Sequence, residues 1–301
     1  MEHRDRPQEQ KSHIMEVLKK PPWLKKKLPP VQDLERVRVI LQRGELHTVC
    51  EEARCPNLGE CFSQGTATIL ILGRICTRDC GFCAVERGIP SSPDKDEPEK
   101  VAEAVRQMGL QYVVLTSVTR DDLADGGASH YAKAIHLIRE VDPRIKIEVL
   151  IPDFRGQDSS LIQVLEASPD VLNHNMETVH RLYPEVRPQA DYARSLHLLR
   201  RSREEAPHLT TKSGFMLGLG EERQEVRHLL EDLRTIGCDF VTIGQYLQPR
   251  PERLPVKRYV RPEEFDEYKR IGEAMGFRGI AAGPFIRSSY HASQLFETHR
   301  R

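Results

Sequence analysis

From residue 66 onward the chain alternates between two hydrophobic periods, and nothing else in it restricts the fold as tightly. Apolar runs of strand length stand at "TATILILG" (66–73), "YVVLTSV" (112–118), "KIEVLIP" (146–152), "VLNHNM" (171–176), "SGFMLGLG" (213–220) and "FVTIGQYLQ" (240–248). Between them lie stretches in helical period. Val101, Ala104, Val105 and Met108 fall at i, i+3, i+4 and i+7, as do Val226, Leu229, Leu230 and Leu233, and Phe265, Tyr268 and Met275 continue the habit. Strands separated by helices of this length are βαβ units, which build a parallel sheet. Six such units either close into a partial barrel or open into a doubly wound sheet, and periodicity does not choose between them. Either way the groups to inspect are those at the carboxyl ends of the strands.

The 301 residues suffice for one large α/β barrel or two smaller domains. Lys+Arg and Asp+Glu balance at 45 each, so no global field points to nucleic acid or to a membrane surface. No apolar run approaches the roughly 20 residues of a bilayer-spanning helix. The N-terminus lacks an apolar leader core, and Glu2, Asp5 and Glu9 count against an organellar transit peptide. A cytoplasmic, reducing setting is the expectation, in which seven cysteines suit metal or catalysis better than disulfides. Residues 1–30 read as an arm, broken by prolines 21, 22, 29 and 30, with Trp23 expected to pin it to the body. Its lysines (19, 20, 25, 26, 27) read as a solvated charge run or as a patch steering an acidic partner.

Six of the seven cysteines form two triplets. Cys76, Cys80 and Cys83 follow C-x3-C-x2-C just after the first strand, and Cys50, Cys55 and Cys61 follow C-x4-C-x5-C before it. Three thiolates can hold three irons of a [4Fe–4S] cube and leave the fourth open, since four cysteines are its usual complement. The alternative is a zinc site completed by a distant histidine. Spacing favours iron–sulfur. Cys238, the seventh, reads as a small buried hydrophobe.

The second triplet, with Phe82 before its last cysteine, resembles the radical S-adenosylmethionine (SAM) enzymes. The first, in "CEEARCPNLGECF", is similar to the auxiliary-cluster motif of the lipoyl synthase family. Further blocks agree along residues 20–292: "TSVTRDDLADGGASHYA", "NHNMETVHRLYPEVRP", "KSGFMLGLGE", "TIGQYLQP" and "RSSYHA". The resemblance implies an α/β fold, a partial (β/α)6 TIM-like barrel over 63–285. An arm and auxiliary-cluster extension would span 1–62, and a tail carrying "RSSY" would span 286–301. It also implies two [4Fe–4S] clusters and SAM as cofactors. SAM would complete the site at Cys76, Cys80 and Cys83. A tail serine, Ser289 in preference to Ser288, would complete the other.

The implied activity is insertion of two sulfurs, at C6 and C8 of an octanoyl group on a carrier lysine, with the auxiliary cluster as sacrificial donor. The implied partners are octanoylated lipoyl carrier domains or the glycine cleavage H protein. An electron donor such as ferredoxin or flavodoxin and an Fe–S assembly or carrier protein would complete them, around a monomer. "GFMLGLGE" places Gly214, Gly218 and Glu221 in a glycine pattern of SAM sites, whose plainer reading is tight strand packing. Asn173, Asn175 and Glu177 fall at period two and share one strand face, lining a site or forming a structural network. Arg120 and Asp122 enter as site residues on the resemblance alone, beside good turn chemistry in their loop. His174 and His291 are not taken as ligands. Two other readings fit two clusters: a different sulfur insertion, such as methylthiolation of RNA or protein, and a non-catalytic electron carrier.

Overall fold

The computed structural model describes residues 18–26 and 32–299. Glu2, Asp5, Glu9, Lys27, Pro29 and Pro30 lie outside the described residues. The strands in chain order are β1 (His47–Thr48), β2 (Thr68–Ile71), β3 (Ile75–Cys76), β4 (Glu86–Arg87), β5 (Tyr112–Ser117), β6 (Lys146–Leu150), β7 (Val171–Asn173), β8 (Thr210–Leu217), β9 (Phe240–Gln245) and β10 (Gly279–Gly283). One eight-stranded sheet runs β1-β2-β5-β6-β7-β8-β9-β10, and β3 pairs with β4 in a separate ribbon. From β2 onward every pair in the large sheet is parallel, while β1 is antiparallel to β2. Strand order follows chain order with no reversal, so the sheet has no switch point of the doubly wound kind. β1 and β10 are not paired with each other, which makes it a barrel left open on one side.

All six expected strands are present, and β10 adds a seventh parallel one. Its sequence, GIAAG, carries one β-branched residue and no alternation, so its strand character comes from pairing with β9. The helices covering the sheet include α4 (Glu97–Met108), α5 (Ala128–Val141), α6 (Asp158–Glu166), α8 (Tyr192–Glu205), α9 (Arg223–Thr235) and α10 (Pro262–Ala274). Before them come α1 (Gln32–Arg43), α2 (Val49–Glu52) and α3 (Leu58–Ser63). The short α7 (Tyr183–Val186) lies between α6 and α8, and α11 (Ala292–Thr298) ends the chain. The periodic residues Val101, Ala104, Val105 and Met108 are the buried face of α4. Val226, Leu229, Leu230 and Leu233 are that of α9.

Alternate strand residues point to opposite faces. Ile69, Ile71, Val113, Leu115, Ile147, Val149, Leu172, Val241 and Ile243 are fully buried in one cluster with the helix faces. The other set fills the barrel in layers. At the bottom, Val171 and Phe240 pack with Phe296 of α11, and Tyr112 lies against them. Above that Lys212 donates to both Glu148 carboxylate oxygens (2.9 and 3.0 Å), which also accept from Asn173 (3.0 Å) and the Tyr112 hydroxyl (2.6 Å). Higher still the interior opens into a cavity.

Candidate functional site

The cavity measures about 570 Å³ and sits at the carboxyl ends of the strands. Its wall carries Cys76, Cys80, Cys83 and Phe82 from the loop after β2, Cys55 from the extension, and Arg287, Ser288 and Ser289 from the tail. Leu70, Thr116, Leu150, Gly214, Met216, Thr242 and Gly244 line it from the strands.

The barrel's own cysteine loop is tied down on several sides. Arg78, almost fully buried, donates to both Asp121 oxygens (2.7 and 2.9 Å) after β5 and to Asp153 (2.6 Å) after β6. Although burial works the other way, the Arg78 bonds hold the Asp153 carboxyl well below the usual range. Asp79 accepts from Arg253 (2.6 Å), and backbone bonds join Gly81 to Val186 and to Leu254. The Cys76 sulfur accepts two backbone N–H groups, from Arg78 (3.4 Å) and Thr119 (3.3 Å).

The extension triplet is built differently. Thr48 caps α2 through the Glu51 N–H, placing Cys50 in the first turn, and Cys61 lies on α3. Lys26 of the arm, half-buried, donates to Asn57 (2.7 Å) and Glu60 (2.6 Å), so this lysine is already engaged within the molecule. Asn57 in turn donates to the Phe285 carbonyl (2.7 Å) and Tyr290 to Glu60 (2.6 Å), which brings the tail over the triplet. In the arm it is Leu24 that is buried, and Trp23 is 37% exposed, so the expected anchor is the neighbouring residue. A leucine inserts fully where the larger indole cannot.

Both triplets fit iron–sulfur ligation. Burial pushes Cys80 and Cys61 up to about 11, and Cys50 and Cys83 up to about 12. Burial raises the non-ligand Cys238 as well, so the shift marks buried thiols, whose protons iron binding would have to displace. Three polar atoms at the cavity wall are buried without a protein partner: Ser117 Oγ, Asn175 Oδ1 and Arg187 Nε. Orphans of this kind call for a ligand bearing amine, hydroxyl and carboxylate groups, and SAM carries all three.

Of the residues named for SAM, Phe82, Asn175, Glu177 and Gly214 reach the wall. Gly214 is there because an added Cβ would meet Thr242 Oγ1 at 2.5 Å and Asn175 Oδ1 at 2.9 Å. Burial raises the Glu177 carboxyl above its usual range, opposed by the nearby Arg187 charge and a bond from Asn175 (3.0 Å). The other three do not face the cavity. Asn173 shares the inward face, as period two requires, but sits one layer too deep and donates to Glu148. Glu221 turns back on its own loop and accepts the Gly218 and Leu219 N–H groups (2.8 and 2.9 Å). Gly218, at φ 103°, packs against Gln245 and the Arg258 carbonyl. Glu221 and Gly218 thus shape the end of β8 and touch no ligand space.

Arg120 and Asp122 pair with each other (2.8 Å) beside a separate small cleft. His174 bonds the Ile151 carbonyl and Ser195, and His291 lies 3.4 Å from Glu60. Cys238 is buried, its thiol donating to the Phe240 carbonyl. Sequence reasoning missed Arg187, which donates to the Asn175 carbonyl (2.8 Å) and lies near Cys80. The only signal for it was its place in the block that also holds Asn175.

Comparison with known proteins agrees with this geometry. A family model described as the radical SAM superfamily matches residues 70–233, and one described as the N-terminal domain of lipoyl synthase of the radical SAM family matches residues 2–55. Lipoyl synthase of Aeromonas salmonicida is 55% identical over 92% of this chain and 86% of its own length. That of Caldanaerobacter subterraneus subsp. tengcongensis is 54% identical over 91% and 96%. Among solved structures, SuiB of Streptococcus suis bound to its precursor peptide aligns with a TM-score of 0.56 at 11% identity, over 90% of this chain and 58% of that one. The hydrogenase maturase HydG of Carboxydothermus hydrogenoformans aligns at 0.55 and 17%, over 76% and 55%. These two likenesses speak for the fold alone. With the barrel triplet and Cys55 of the extension on one cavity wall and this identity over nearly its whole length, the chain belongs to the lipoyl synthase family of radical SAM enzymes.

Proposed function

We propose that this chain inserts two sulfur atoms, at C6 and C8, into an octanoyl group carried as an amide on a carrier lysine, drawing both from an auxiliary cluster that is consumed. One observation carries the reading: Cys55, the barrel triplet and the tail serines share one cavity wall. The bound cofactors would supply a carbon radical able to take hydrogen from unactivated carbon at Cys76, Cys80 and Cys83, and sulfide at Cys50, Cys55 and Cys61.

What remains is done by the chain's own residues. Leu70, Leu150, Met216 and Ile286 give the cavity the apolar lining that an alkyl chain needs and keep water from it. Asn175, Glu177 and Arg187 offer polar contacts to SAM, and Gly214 keeps that wall thin. Ser289 is preferred to Ser288 as the completing serine, and the Asn175 bond to Ser288 (3.3 Å) supports that preference. Residues 1–62, 63–285 and 286–301 then act as sulfur-site extension, radical-forming barrel and closing tail. An octanoylated carrier is the family's substrate, and either a lipoyl carrier domain or the glycine cleavage H protein would serve. Ferredoxin or flavodoxin as reductant, an Fe–S carrier to rebuild the cluster, a monomeric state and a cytoplasmic setting complete the reading. No helix among the described residues is long and apolar enough to cross a membrane.

The test is anaerobic reconstitution with iron and sulfide, followed by SAM, dithionite and an octanoyl-lysine peptide. The expected result is lipoyl product with about two deoxyadenosines formed per product, one for each C–H bond broken. SAM cleavage without sulfur insertion would overturn the reading.

A further inference from the structure

We infer that Lys26 is a positioning residue for the auxiliary site: its ammonium clasps arm, extension and tail together and so sets where the tail serine stands. The inference deepens the proposed function and rests on its reading of the tail serine as the completing ligand.

Three segments that are distant in sequence meet at this one group. Lys26 Nζ donates to Asn57 Oδ1 (2.7 Å) and Glu60 Oε2 (2.6 Å) of the extension. It also stands 5.0 Å from the centre of the Phe285 ring, three residues before the tail serines, and 4.9 Å from that of Tyr290, just after them. Both acceptors reach the tail a second time. Asn57 Nδ2 donates to the Phe285 carbonyl (2.7 Å), and the Tyr290 hydroxyl donates to Glu60 Oε1 (2.6 Å). The stretch 286–289 is therefore held at both ends, and Cys55 and Cys61 flank Asn57 and Glu60 in sequence.

Chemistry makes the ammonium hard to replace by packing. A cation over two aromatic faces with two oxygen acceptors satisfies partners that a neutral side chain would leave without one. Without it, Glu60 keeps the Tyr290 hydroxyl (2.6 Å) and His291 (3.4 Å) on Oε1 but loses the partner on Oε2, and Asn57 Oδ1 loses its donor. The barrel triplet has no part in this clasp, since its loop is tied through Arg78 to Asp121 and Asp153 and through Asp79 to Arg253 instead. A fault in the clasp should therefore be felt at one site and not at the other.

The experiment uses two full-length backgrounds. Cys76→Ala/Cys80→Ala/Cys83→Ala keeps only the auxiliary site, and Cys50→Ala/Cys55→Ala/Cys61→Ala keeps only the barrel site. Each is reconstituted with iron and sulfide, and bleaching of its visible absorption by excess chelator is timed, with circular dichroism confirming the fold. Lys26→Met should speed bleaching about tenfold or more in the first background and leave the second unchanged, with Lys26→Arg restoring most of the protection. Adding Lys26→Met to Ser288→Ala/Ser289→Ala should change nothing further, because both act through the same serine. Equal acceleration at both sites, or none at the auxiliary site, overturns the role of Lys26 while the serine reading stands. A serine double variant that bleaches no faster than its parent overturns the serine reading, and this inference with it.

Discussion

The loop bearing Cys76, Cys80 and Cys83 is tied down by the barrel beneath it, whereas the segment bearing Cys50, Cys55 and Cys61 joins the barrel at its edge through β1 and is held further by the arm and the tail. In the first, buried Arg78 bridges carboxylates in the loops after β5 and β6, the next two strands of the sheet. In the second, the fixing groups are Lys26 from the arm and Phe285 and Tyr290 from the tail. A site that keeps its cluster through every turnover gains from a rigid seat. One whose cluster is consumed gains from a seat that can open without disturbing the barrel. The difference in construction thus mirrors the difference in proposed chemistry.

The sharpest way to break that contrast is to remove one triplet at a time. Replacing Cys76, Cys80 and Cys83 by alanine should abolish SAM cleavage. Replacing Cys50, Cys55 and Cys61 should leave cleavage measurable and abolish sulfur insertion. Chromatographic detection of 5′-deoxyadenosine and of lipoyl peptide checks both, and sulfur insertion surviving the second set would end the idea of two specialised sites.

Next in size is the barrel's anchor. Arg78→Met leaves Asp153, fully buried, without its strongest partner. Stripping one member from a buried pair costs about 3–5 kcal/mol, read here from urea unfolding of the cluster-free protein. The same variant should lose iron from the barrel site and keep it at the auxiliary one. Equal loss at both would mean the two seats are mechanically joined.

His174 offers a pH handle on the same side of the contrast. Burial first, and the Arg187 charge second, lower its imidazole to about 4. The unfolded chain, with an ordinary value near 6.5, binds a proton between those limits that the folded chain refuses. Stability from this group is therefore complete above about pH 6.5 and declines as pH falls toward 4, by about 3 kcal/mol in all. His174→Gln should flatten unfolding midpoints across that window. Asp153, held low by Arg78, acts further into acid, and the raised Glu177 carboxyl is common to parent and variant, so the difference between them isolates the imidazole.

Much of this was legible in sequence, for reasons that differ by element. Runs such as YVVLTS announce strands because β-branched residues fit a pleated surface, and the stripes of α4 and α9 announce buried faces by their period. GIAAG of β10 has no such mark, since its neighbour β9 dictates its form. The cysteines were legible because metal ligation needs particular atoms at short spacing. Asn173 lies below the cavity because a face can be read from period but depth along it cannot, and Glu221 turns back on its own loop because a glycine pattern fixes spacing and not side-chain direction. Lys26 could not be read at all as a clasp. Its partners lie on three segments that only the folded chain brings together.

The smallest expected effect concerns how the arm is seated, and it separates a buried contact from a prominent one. Leu24 is 7% exposed and Trp23 is 37% exposed. Cutting a buried leucine to alanine costs about 2–5 kcal/mol in a core, and the arm's seat should return the lower end or less, because it can come away without unfolding the barrel. Trp23→Ala should stay within about 0.5 kcal/mol. Limited proteolysis is the suitable readout, since it samples local release of the arm and not global unfolding. Leu24→Ala should speed cleavage near residues 18–26 at an unchanged thermal midpoint, and Trp23→Ala should not. Were the tryptophan the more sensitive of the two, the arm would be seated by its aromatic residue after all. The Lys26 clasp would then begin from a different anchor.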